Sequence, residues 1–330
     1  MTMATTENRI ARWKLVLGYG VFSLVAFVLC LFLTFPYDTL RQRAVEAAAD
    51  AGYALRIGSL RPGLRGLTAT QVRLSKAPNG ITPELHELLA SNASMMPGPE
   101  ELGEPLNIDS VAVRPALLPL GVAFHASLLG GSISGNVGGL GDVKVAVSLS
   151  NLDASSGNLK GFSGVDMAGK LNGSLDLTLP KTRGQADLSQ ANGQLTLDSR
   201  GLIIQGGNVT VPMYGQPTPM DLPKIALGDI DARVKIEKGL GTIETMQAKS
   251  EDLEVQGTGT VKLGQRLDVS QPDMDFKLNA EPEFVKRLGI LGAGLTILPT
   301  DKADPKFRVA HLSGFFNRPT FGPPRGQQMR

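Results

Sequence analysis

One cysteine, Cys30, is all that 330 residues contain, and it lies inside an apolar N-terminal run. The rest of the chain therefore has no thiol for a disulfide, a CxxC motif or a nucleophile, which excludes thiol-based redox chemistry there. Large aromatic anchors are scarce, with a single Trp, 4 Tyr and 12 Phe. Neither sign of charge prevails: 33 Lys and Arg face 31 Asp and Glu, interspersed along the chain. No basic stripe is left to track a nucleic-acid backbone, so no nucleic-acid partner is expected. What is abundant is glycine, with 39 residues, within a hydrophobic content of 42%. That content fits a folded body rather than a disordered or polytopic chain.

From Leu15 to Phe35 the sequence runs 21 residues without a charge. At about 1.5 Å per helical residue, this matches a hydrocarbon core of roughly 30 Å. Trp13 and Tyr37 flank the run at headgroup-seeking positions, and Pro36 stops direct continuation of the helix. Arg9, Arg12 and Lys14 precede it, while Arg41 and Arg43 follow together with Asp38. The charge comparison and the want of a second span place residues 1–14 in the cytoplasm and the body on the far side. A cleaved signal peptide has a shorter apolar core and a small-x-small exit. Here Phe35-Pro36-Tyr37-Asp38 follows the run, so an uncleaved single-pass anchor over 15–35 is expected, with the membrane itself as a partner.

Residues 37–52 read as a short juxtamembrane helix, because Leu40, Ala44, Ala47 and Ala48 recur at helical spacing and Gly52 supplies a stop. A β-rich domain over 53–322 follows, opening with a hairpin whose turn chemistry is Arg61-Pro62-Gly63 and Gly66. Residues 81–91 suggest a turn or two of helix, and an acidic, proline-rich break falls within 92–106. Beyond it alternation dominates, as in Val122, Phe124, Ala126 and Leu128, or Leu195 and Leu197, Leu267 and Val269, Phe276 and Leu278. Period two predicts half-buried strands. Gly135-Asn136, Asn172-Gly173 and Asn192-Gly193 are read as strand-ending turns of antiparallel hairpins. One helical interruption is expected near Pro282 to Leu291, and residues 323–330 form a tail. The fold class is thus mainly β: an elongated, curved antiparallel sheet after one anchor helix and one short helix. Val143, Val145 and Val147 should share one aliphatic face with Leu175, Leu177 and Leu179, lining either a packed core or an open groove.

Motifs that carry chemistry are missing. His86, His125 and His311 lie far apart, and none has a second ligand at metal-binding spacing. No GxSxG elbow occurs. Gly130-Gly131 and Gly138-Gly139-Leu140-Gly141 precede strands and lack a following Lys-Ser/Thr pair, so turns explain them better than a phosphate loop. No catalytic residue, cofactor site or metal site is assigned, and the chain is read as non-enzymatic.

Three segments resemble the type II secretion system protein N (GspN) family of Gram-negative bacteria. The first is Leu33-Thr34-Phe35-Pro36-Tyr37-Asp38, where the apolar run passes into a short helix. The second is Ile57-Gly58-Ser59-Leu60-Arg61-Pro62-Gly63-Leu64, closing on Gly66-Leu67. The third, Leu312-Ser313-Gly314-Phe315-Phe316-Asn317-Arg318-Pro319-Thr320-Phe321, is similar to the Gly…Asn-Pro ending shared with the larger AsmA-like proteins, except that Arg318 separates Asn317 from Pro319. The resemblance implies an inner-membrane protein facing the periplasm, associated with type II secretion and partnered by other secretion subunits. The AsmA-like likeness implies a competing role, a β-groove that shelters the acyl chains of phospholipid.

Overall fold

The computed structural model describes residues 17–20, 22–23, 26–27, 30, 37–63, 66–76, 82, 84–85, 102–117, 120–182, 184–213 and 216–323. Most of the expected span over 15–35, the helical turn at 81–91, the break at 92–106 and the tail at 323–330 lie outside them. Residues 17–20, 22–23, 26–27 and 30 are helical. Among the described residues no helix is long and apolar enough to cross a membrane, so the anchor has no structural support of its own.

Helix α1 (Tyr37–Asp50) closes as its Ala-rich sequence predicts. Gly52 takes a left-handed φ of 84°, its N–H bonds to Ala49 O at 2.9 Å, and Tyr53 N–H reaches Ala48 O at 2.9 Å. These bonds satisfy carbonyls that a helix end leaves free. Val45 and Ala49 are the buried residues of α1.

A meander follows: β1 (Ala54–Gly63), β2 (Gly66–Ser75), β3 (Leu106–Leu117), β4 (Leu120–Leu128), β5 (Gly131–Gly138), β6 (Val143–Asp153), the short helix α2 (Leu159–Ser163), and β7 (Val165–Leu179). A two-residue pair, β8 (Lys181–Thr182) and β9 (Gln185–Ala186), precedes the long β10 (Asn192–Met213). The chain continues through β11 (Gln216–Leu222), β12 (Ile225–Glu237), β13 (Leu240–Lys249), β14 (Leu253–Lys262) and β15 (Gln271–Ala280). Helices α3 (Pro282–Arg287) and α4 (Ile290–Ile297) interrupt it before β16 (Arg308–Phe315) and β17 (Arg318–Gly322). One sheet of fifteen strands results, ordered β1 to β7, β10, β12 to β17, with β11 paired only to β10. Every pairing is antiparallel and the sheet does not close.

Because nearly every strand pairs with its sequence neighbour, turns alternate between two ends of the sheet. The proximal end receives α1, α2, α3 and α4, which cover much of its apolar surface but leave Ile297 of α4 exposed. Leu106, Leu128, Leu129 and Leu152 form one buried cluster under Leu159 and Phe162 of α2, and the Phe162 ring stacks on Tyr53 with centroids 6.4 Å apart. Ile57, Ala69 and Val72 form a second cluster beside Ala44 of α1. Near the C-terminus, Phe284, Leu298, Phe307 and Ala310 are buried. Asp252 in the β13–β14 turn accepts Ala226 N–H at 3.1 Å and pairs with Arg287 of α3, fastening the helix to the sheet.

Two sequence expectations are corrected. Gly135-Asn136 lies inside β5 and Asn172-Gly173 inside β7, while Asn192-Gly193 opens β10. None is a hairpin turn; the turns are instead at Leu129-Gly130, Gly139–Asp142 and Lys238-Gly239. Packing explains the mid-strand glycines. A Cβ at Gly135 would sit 2.8 Å from the Phe124 ring, and one at Gly173 would sit 3.3 Å from Leu149, so the bare backbone gives neighbouring apolar side chains room to lie flat. The pair Leu267 and Val269, alternating in sequence, forms a 3-10 turn rather than a strand. Ser270 Oγ closes that turn by accepting Gly264 N–H at 3.0 Å and donating to Arg266 O at 3.2 Å.

Candidate binding face

The six aliphatic residues read from alternation come together on β6 and β7. Val143 stands opposite Leu179, Val145 opposite Leu177, and Val147 opposite Leu175. The apolar row does not stop there. Val147 continues through Gly135 to Phe124 on one side, and Leu175 continues through Leu195 and Val234 to Ile243 on the other. Aligned register keeps these positions on one face, since a one-residue slip would turn each of them over.

All six residues are half-buried and none is fully buried, while Leu195 in the Val147–Leu175 row and Val137 and Val122 in the Val145–Leu177 row are exposed. A second layer packed on this face would remove such side chains from solvent. Among the described residues no such layer covers the middle of the sheet. The aliphatic face is therefore an open apolar surface several strands wide.

The opposite face is polar and built from small residues. Asn136, Ala146, Asp176, Gln194 and Lys235 line a depression of about 610 Å³, and Ala112, His125, Ser134, Ser148 and Ser174 line another of about 620 Å³. The Ser174 and Thr196 hydroxyls lie 2.8 Å apart across β7 and β10. His125 is exposed on this face. Its carboxylates are single and interleaved with hydroxyls and amides, an arrangement suited to solvation.

One cluster escaped the sequence reading. His311 on β16 is buried, its Nδ1 lies 2.9 Å from Asp275 Oδ1, and its Nε2 lies 3.3 Å from Asp273 Oδ1. His311 is more than thirty positions from the two aspartates in sequence, so only the pairing of β15 with β16 brings it to them. Among the described residues no group of three His, Cys, Asp or Glu is placed to hold a metal. No hydroxyl or thiol of the described residues bonds the ring, so the cluster fastens β16 to β15 without supplying a nucleophile. His86 lies outside the described residues.

Several surface carboxyls are held below the usual carboxylate range. For Asp301 the main cause is the Lys277 ammonium, 2.6 Å away; for Asp153 and Asp187 it is hydroxyl donation from Ser155 and Ser189; for Glu237 it is Lys235. A carboxyl with a depressed folded value contributes stability that is complete above its unfolded value of about 4 and fades as pH falls through the lower folded value. The urea midpoint is therefore expected to hold level from about pH 7 to about pH 5 and to fall below about pH 4. Asp301→Asn should flatten part of that acid slope. An unchanged slope in the variant would show that the Lys277 pair contributes nothing to it.

Compared with known proteins, the chain matches no family model, no curated protein and no solved structure.

Proposed function

We propose that this chain is a non-enzymatic component of the Gram-negative cell envelope that serves type II protein secretion. In this reading residues 15–35 anchor it in the inner membrane and the β domain faces the periplasm. The observation that carries the reading is the open meander itself: β1 and β17 end the sheet, and among the described residues neither outer edge has a strand beside it. An unpaired edge offers main-chain donors and acceptors to a strand from another subunit. The segments resembling GspN supply the link to secretion. Deleting the gene while assaying export of type II substrates tests this, and unchanged export would remove the reading.

A second reading is favoured by a different observation, the uncovered aliphatic face around Val145 and Leu177. Such a face can shelter acyl chains, so the chain would act as an AsmA-like lipid-binding or lipid-transfer protein. Extraction of the purified full-length protein should then yield phospholipid in stoichiometric amount, and lipid-free preparations would count against it.

A further inference from the structure

The two ends of the sheet differ in chemistry. The proximal turns bury Leu128, Leu129 and Leu152 and expose Ile297 of α4 singly at one corner, whereas the distal turns leave Leu240 45%, Leu267 63%, Val269 40% and Phe316 42% exposed on neighbouring connections. Phe315 is exposed beside Phe316. These residues belong to one continuous rim. Leu263 N–H bonds to Gly239 O at 2.7 Å, Phe316 N–H to Ser270 O at 3.1 Å, and Asn317 N–H to Asp268 O at 3.1 Å. The β12–β13, β14–β15 and β16–β17 connections are thereby tied edge to edge.

Basic side chains stand among the apolar ones. Lys181, Lys238, Lys262, Arg266 and Arg318 are all exposed. Arg266 is offset by Asp268 at 2.8 Å and Lys235 by Glu237 at 2.8 Å, while Asp187 keeps its charge as it accepts from the Ser189 and Thr182 hydroxyls, so Lys181, Lys238, Lys262 and Arg318 stand against one free carboxylate among these. The excess charge presented outward is positive.

We propose that this distal rim inserts into the interfacial layer of a bilayer that carries anionic headgroups. The apolar side chains stand as Leu240, the pair Leu267 and Val269, and the pair Phe315 and Phe316 on three successive connections, a spread-out set rather than one compact patch. A fluid partner accepts scattered Leu, Val and Phe at one depth while Lys and Arg meet headgroup phosphates beside them. Each basic residue near an anionic surface strengthens binding about fivefold, and salt weakens the effect. The insertion is a property of the end of the sheet opposite α1, independent of any anchor and of either functional reading above.

The test uses the full chain in phosphatidylcholine nanodiscs, with Cys30→Ser and one environment-sensitive fluorophore placed through Leu267→Cys, Phe316→Cys or, at the proximal end, Ser155→Cys. A second population of vesicles, containing phosphatidylglycerol and brominated acyl chains, is then added. A blue shift and quenching are expected at 267 and 316 and not at 155, much reduced with pure phosphatidylcholine vesicles. Lys238→Gln with Lys262→Gln should weaken the response about 25-fold. Silence at both rim positions, or equal quenching at 155, would overturn the proposal. A blue shift that grows with protein concentration in the absence of vesicles would overturn it too, assigning the rim to a second copy of the chain.

Discussion

Aspartate in place of Ala310 is expected to cost the fold about 4 kcal/mol, and the same residue in place of Leu177 about 1 kcal/mol. Ala310 is wholly enclosed, 0% exposed, on β16 directly opposite Phe276. A carboxylate there loses its water and gains no partner, so the penalty is large whichever protonation state it adopts. Leu177 shares the apolar face with Val145 but is only half-buried, and a charge placed there reaches solvent by a small rotamer change. Urea denaturation of the two variants measures the contrast. On the acyl-chain reading, Leu177→Asp also strips co-purifying phospholipid while leaving the melt nearly unchanged. Equal and large destabilisation at both positions would mean that the middle of the sheet is covered after all.

Gly228→Ala should destabilise by about 3 kcal/mol, with the loss confined to β10, β12 and β13. Gly228 occupies the left-handed region at φ 70° and lies opposite Leu202, where the β10–β12 ladder shifts register between Ser199 and Leu202. A Cβ there would fall 1.9 Å from Lys249 O, a backbone atom that cannot swing aside. Conformational strain and steric overlap therefore add. Neighbouring bonds hold the bulge in place: Asp229 Oδ1 accepts Gly201 N–H at 2.8 Å, and Ser199 Oγ accepts Ile230 N–H at 3.2 Å. Each strand touches mainly its sequence neighbours, so the damage should stay local, as in repeat architectures. Hydrogen exchange checks this: amides of β12 and β13 should lose protection while those of β4 to β6 keep theirs. Global loss of protection would show that the sheet unfolds as one unit.

The sequence by itself determined which way the strands face. Alternation of Val143, Val145 and Val147 against Leu175, Leu177 and Leu179 is a local pattern, and the pleat turns it directly into a shared face. The helix over 37–50 and the interruption beginning at Pro282 were legible for the same reason, since such signals act over a few residues, whereas the extension of α4 to Ile297 and a second interruption, α2, were not. Tertiary structure decided the rest. Asn172-Gly173 has the composition of a turn yet lies mid-strand, because Leu149 and Leu197 from the flanking strands need the space that a side chain would take. Leu267 and Val269 alternate like a strand yet bend outward, because Ser270 caps a turn within the loop. His311 meets Asp273 and Asp275 only through strand pairing. Whether an aliphatic face is covered depends on what the whole sheet does over fifteen strands, and a period of two residues carries no information about closure.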